Sequence, residues 1–85
     1  MTTTPQTHNI IIYSTPNCTH CHHLKDYLNE KGIAFKDIDV AADGVAAMEA
    51  REKSGQRGVP VVDIDGNIVV GFDKEIIDQL LDIKN

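Results

Sequence analysis

No unbroken apolar run of the chain exceeds four residues, and the bulkiest is Ile10-Ile11-Ile12-Tyr13. It is far too short to span a bilayer, which needs ~20 apolar residues. Its β-branched content suits a central strand covered on both faces, here residues 9–13. A short polar stretch, Ser14-Thr15-Pro16-Asn17, breaks the run. Leu24, Tyr27 and Leu28 then recur at i, i+3, i+4, the stripe of an amphipathic helix from Cys18–Thr19 to about Lys31. Gly32 is its stop signal. Strand, helix and a further apolar segment in this order favour a right-handed parallel crossover.

The rest of the chain continues the alternation. Ile33–Val40 reads as a second strand, with Ile33 and Phe35 on one face and Ile38 and Val40 on the other. That imperfect alternation predicts a bulge or a mostly covered strand. Asp43 is the expected N-cap of a second helix through about Lys53, ended by Ser54-Gly55, with Val45, Ala47 and Met48 turned inward. Val59–Ile64 and Ile68–Val70 read as strands joined by Asp65-Gly66, a strong hairpin signal. Pro60 belongs at a strand's first residue, because proline removes a ladder donor. Asp73 caps a last helix with Ile76, Ile77, Leu80 and Leu81 as its buried stripe. The order is β-α-β-α-β-β-α: an α/β fold with a four-stranded mixed sheet flanked by three helices.

Eighty-five residues make one domain. Residues 1–8 are expected to be a disordered tail and residues 9–85 the domain. The tail lacks the basic start and apolar stretch of a signal peptide, so the cytoplasm is the expected compartment. A net charge of −5 with eight scattered basic residues argues against nucleic acid and anionic membranes. Charged residues outside the motif described next read as surface, and a monomer is expected.

The chemistry concentrates in Cys18-Thr19-His20-Cys21. At a strand-to-helix junction, Cys18 meets unpaired N–H groups and the positive end of the helix dipole. A thiolate there is stabilised and reactive. Cys21, one turn further in, can close a disulfide with it. Cys18 is therefore the expected nucleophile and Cys21 the resolving thiol of a redox-active disulfide. Two other readings use the same pair. One is two ordinary buried cysteines. The other is a metal or copper carrier, since His20, His22 and His23 crowd the motif; an iron–sulfur carrier enters only with the family likeness that the whole chain carries. Zinc usually takes its second ligand pair from a distant segment, and the remaining histidine, His8, lies in the tail. Copper-handling domains of this size follow a βαββαβ order, whereas DKEIIDQLLDIK has a helical period.

Three segments carry a family likeness: IIIYSTPNCTHCHHLKDYLNEKGIAFKDIDV, SGQRGVPVVDIDG and VVGFDKEIIDQLL. Together they resemble a glutaredoxin-like member of the thioredoxin superfamily, from about Asn9 to Ile83. The resemblance implies the thioredoxin fold and thiol–disulfide exchange on protein or glutathione mixed disulfides. It implies no bound cofactor; glutathione would enter as co-substrate, and the electron donor would be glutathione or a thioredoxin reductase. It also makes Pro60 a cis-proline that presents Val59 to an extended substrate. Gly71, Phe72 and Asp73 would line the groove, Gln56 or Arg57 would meet a carboxylate, and Thr19 and His20 complete the substrate-binding set. The chain departs from the pattern in three places. Ser14-Thr15-Pro16 supplies no Lys before the first cysteine. Thr19-His20 replaces the usual Pro-Tyr. Lys74 stands where an acidic residue commonly meets the glutathione amino group.

Overall fold

The computed structural model describes residues 9–56 and 58–81. The tail, Arg57 and the last four residues lie outside that range. The apolar run forms β1 (Ile10–Ser14), an inner strand of a four-stranded sheet. It pairs in parallel with β2 (Lys36–Asp39) and antiparallel with β3 (Val61–Ile64), which pairs antiparallel with β4 (Asn67–Val70). The sheet order is β2-β1-β3-β4, with α1 (Thr19–Glu30), α2 (Gly44–Ser54) and α3 (Lys74–Leu81) as the helices. This is the thioredoxin-like arrangement the resemblance implied, in the element order read from the sequence.

The two faces of the sheet are covered unequally. Ile10 and Ile12 of β1, Val62 and Ile64 of β3 and Val69 of β4 pack with Leu24 and Leu28 of α1 and Ile77 and Leu81 of α3. On the other face, Tyr13 and Val61 form a smaller buried cluster with two small residues of α2, Ala46 and Ala50. Period-two alternation along β1 is what sends Ile12 and Tyr13 to opposite layers.

Several expectations need correcting. Ile33 does not begin a strand. Its N–H bonds to the Leu28 carbonyl at 2.9 Å, and the Gly32 N–H bonds to Asn29 at 3.1 Å. That is a Schellman motif, with Gly32 at φ 70° where a side chain would be strained. Helix capping therefore consumes the first residues assigned to β2. The remaining strand is a largely exposed edge rather than a covered strand. The face assignment holds: Ile33 and Phe35 join the larger cluster, Ile38 and Val40 the smaller.

Asp43 caps α2 as expected, accepting from the Val45 and Ala46 N–H groups at 3.1 Å. Yet Val45 is 70% and Met48 61% exposed, while Ala46 and Ala50 are buried. Close approach of the helix to the sheet selects the small residues, so size decided the inward face rather than hydrophobicity. In α3, Ile77 and Leu81 are buried and Leu80 packs against the core, but Ile76 is 43% exposed. About 100° around the helix from Ile77, it lies at the margin of the stripe that Ile77 and Leu81 centre. Strand β3 starts at Val61, leaving Val59 and Pro60 as a connecting segment. Asp65 and Gly66 both have positive φ, 53° and 92°, which gives the type I′ turn matched to sheet twist.

Candidate active site

β1 ends at Ser14, and the loop Thr15-Pro16-Asn17 delivers Cys18 to the N-cap of α1. Cys18 has extended backbone angles, φ −93° and ψ 110°, and its sulfur accepts from the Cys21 N–H at 3.1 Å. A helix start normally uses a Ser, Thr or Asp oxygen for this bond; here a sulfur does the capping. Cys18 is half-buried, whereas Cys21 is fully buried in the first turn. The two are joined as a disulfide, with Cα atoms 5.2 Å apart.

Opposite the pair runs the segment before β3. The Val59–Pro60 bond is cis, as the likeness implied. The Val59 carbonyl oxygen lies 3.9 Å from Cys18 Sγ. The Pro60 carbonyl accepts from the Gly71 N–H at 2.8 Å, which ties this segment to the turn after β4. Phe72, next in that turn, lies 5.7 Å from the Tyr27 ring of α1, centroid to centroid. Asp73 receives the Ile76 N–H and caps α3.

Val59 thus stands beside Cys18, Gly71 is tied to Pro60, and Phe72 packs on Tyr27. Thr19 and His20 are exposed on the first turn of α1. Gln56 sits apart, in an open depression with Met48, Arg51, Glu52 and Gly55. Its side-chain amide nonetheless lies against Gly58, 3.2 Å from where a Cβ would stand. Arg57 is outside the described residues. Among the described residues, no three His, Cys, Asp or Glu side chains gather to hold a metal ion.

Three charged networks tie the elements together, and the sequence reading places their charged members at the surface. Ser14 Oγ donates to Asp37 at 2.8 Å, and Lys25 Nζ donates to the other Asp37 oxygen at 2.9 Å. Burial pushes the Asp37 carboxyl up. The bonds from Lys25 and Ser14, with the Lys25 and His22 charges, outweigh it and hold the group below its ordinary value.

Lys53 of α2 donates to Asp63 and to the Tyr13 hydroxyl, each at 2.8 Å. Those bonds raise the Lys53 ammonium above the usual lysine range despite partial burial. Tyr27 donates its hydroxyl to Asp78, which also accepts from Lys74 at 3.0 Å. The Asp78 bond holds Lys74 back along α3, over the Tyr27 ring. In sequence, only the i,i+4 spacing of Lys74 and Asp78 signalled any of these partners.

The glutaredoxin family model matches residues 10–69. The chain belongs to the glutaredoxin family. A glutaredoxin-like 8.6 kDa protein encoded in a rubredoxin operon of Clostridium pasteurianum is 52% identical over 73 residues, covering 86% of this chain and 97% of that protein. The crystal structure of a mutant of the thioredoxin-like protein BC3987 superposes with a TM-score of 0.84 at 33% identity, covering 89% and 97% of the two chains. The glutaredoxin-like NrdH-redoxin of Escherichia coli, described as having a thioredoxin-like activity profile, superposes at 0.77 with 32% identity, covering 85% and 93%. The chain is thus a glutaredoxin-like redox protein that carries a Cys18–Cys21 pair.

Proposed function

We propose that this chain is a dithiol reductase of protein disulfides, recharged by a thioredoxin reductase in preference to glutathione. The carrying observation is the unequal placement of the two sulfurs. Cys18 is half-exposed at a helix N-terminus with an N–H on its sulfur, and Cys21 is buried one turn behind. The reduced Cys18 thiolate attacks a substrate disulfide and forms a mixed disulfide, expelling one substrate thiolate. Cys21 then loses its proton and attacks the Cys18 sulfur, expelling the second thiolate. The donor returns two electrons and two protons to the Cys18–Cys21 disulfide. An extended substrate segment would lie along Val59, in the manner of an added strand. A reducing compartment such as the cytoplasm would keep the pair in its attacking form.

The donor preference rests on charge. Glutathione carries two carboxylates and an ammonium group. Ser14-Thr15-Pro16 offers no cation, and the residue after Asp73 is Lys74, itself engaged by Asp78. The activity profile in the description of NrdH-redoxin points the same way. The test follows NADPH consumption with a disulfide protein substrate and either donor system. Rapid turnover with thioredoxin reductase and slow turnover with glutathione and its reductase is expected; the reverse order overturns the donor assignment. A reduced Cys18 inert to iodoacetamide, in protein that purifies with stoichiometric copper or zinc, would replace the whole reading with a metal carrier.

A further inference from the structure

The loop that presents Cys18 is three residues long and anchored at both ends. At one end, buried Ser14 is fixed by Asp37 and Lys25. At the other, the Cys18 N–H returns to the Thr15 carbonyl at 3.3 Å. Between them stands Pro16, which has no N–H to offer and whose carbonyl faces back toward α1. That carbonyl meets His22: the ring Nε2 lies 2.8 Å from it. Among the described residues, this is the one side-chain hydrogen bond made to residues 15–17. His22 can reach because it sits one turn beyond Cys18, its own N–H bonded to the Cys18 carbonyl at 3.1 Å. Side chains in a helix lean toward its N-terminus, so the ring extends over the first turn to the loop.

We infer that His22 is a positioning residue for the nucleophile: its Nε2–H fixes Pro16 and so sets how the Cys18 sulfur is held over the helix N-terminus. A carbonyl only accepts, so the neutral imidazole must carry its proton on Nε2, leaving Nδ1 toward water. The carboxylate that feels His22 is Asp37 of β2, already engaged by Lys25 and Ser14; Asp26 follows one turn further along α1. His23 is the exposed neighbour. Protonation of the ring would keep the Nε2–H donor, so the bond survives either charge state. The role belongs to the hydrogen bond rather than to a charge.

This inference concerns the same site as the proposed reductase, so its test reads the sulfur without requiring turnover. His22→Gln places an amide N–H four bonds from Cα, matching imidazole Nε2. His22→Asn places the same group one bond short. Alkylation of reduced Cys18 by iodoacetamide at neutral pH is measured for wild type and both variants. The expected result is a rate about fivefold lower for H22N and within about twofold of wild type for H22Q, the scale of one lost hydrogen bond. Equal slowing in both variants would assign the effect to charge and overturn the inference. So would unchanged rates in both.

Should H22N fail to fold, long-range ¹⁵N–¹H correlation on the wild type decides. A proton on Nε2 in the neutral ring supports the bond, and one on Nδ1 overturns it. Failure of disulfide reduction with the alkylation pattern intact would remove the proposed substrate reaction and leave the role of His22 standing.

Discussion

Lys53→Met removes the ammonium that joins α2 to the sheet while keeping most of the side chain's bulk. In the wild type that ammonium bonds Asp63, whose side chain is 13% exposed, and the hydroxyl of buried Tyr13. Losing a charge-assisted bond to a mostly buried carboxylate costs about 1.5–3 kcal/mol, and the tyrosine bond about 1 kcal/mol. Two features reduce that sum. Asp63 keeps its bond from the Gly66 N–H at 2.8 Å, and the Lys53 side chain is 30% exposed, so water can reach the vacated oxygen. A net loss of about 2 kcal/mol follows, with a fall in Tm of about 8–16 °C for a domain of this size. Urea denaturation of wild type, K53M, D63N and the double variant measures it. The cycle should return a coupling of at least about 1 kcal/mol.

The pH dependence gives a second check. The folded ammonium titrates above its unfolded value of ~10.4, so its contribution is complete below about pH 10 and fades only as pH climbs through the higher folded value. The gap between wild type and K53M should therefore stay flat from about pH 6 to about pH 10. A gap below about 0.5 kcal/mol, or one that narrows already near pH 8, would refute the assignment of Lys53 as a bonded tie.

Cys18→Ser should abolish disulfide reduction, whereas Cys21→Ser should retain the first attack and accumulate a mixed disulfide visible by intact mass; a C18S protein that still reduces substrate would reverse the sulfur assignments. Lys74→Asp exchanges the bond to Asp78 for a like charge at i+4. It should raise the rate with glutathione while lowering thermal stability slightly; an unchanged glutathione rate would mean that this charge does not limit donor choice. Asp37 titrates below its unfolded value, so its contribution is present above about pH 4 and is lost as pH falls through the folded value. Because its side chain is 41% exposed, Asp37→Asn should cost under about 1 kcal/mol at neutral pH, with the difference vanishing in acid; a difference that persists at low pH would point to packing instead.

Local patterns revealed most of the scaffold. The β-branched run, the i, i+3, i+4 stripe of α1, the Asp43 cap and the Asp-Gly turn each act within a few residues, so spacing alone exposes them. Cys18 and Cys21 were legible for the same reason. What stayed hidden depends on distance between elements. How closely α2 lies on the sheet decided that Ala46 and Ala50, rather than Val45 and Met48, turn inward. Ser14, Lys25 and Asp37 come from β1, α1 and β2, and no sequence spacing joins them. The neighbourhood of Pro60 and Gly71 was suggested only by family likeness, because the bond from the Gly71 N–H to Pro60 exists only after the hairpin closes.

The alanine-seated helix also determines where this small protein has room to diverge. Val45, Met48, Glu49 and Glu52 are exposed on α2 and take no part in seating it. Substitutions at such exposed positions usually change stability by no more than about 0.5 kcal/mol. Copies of the gene could therefore acquire different outer surfaces on α2, and with them different clients, while inheriting one unaltered redox centre.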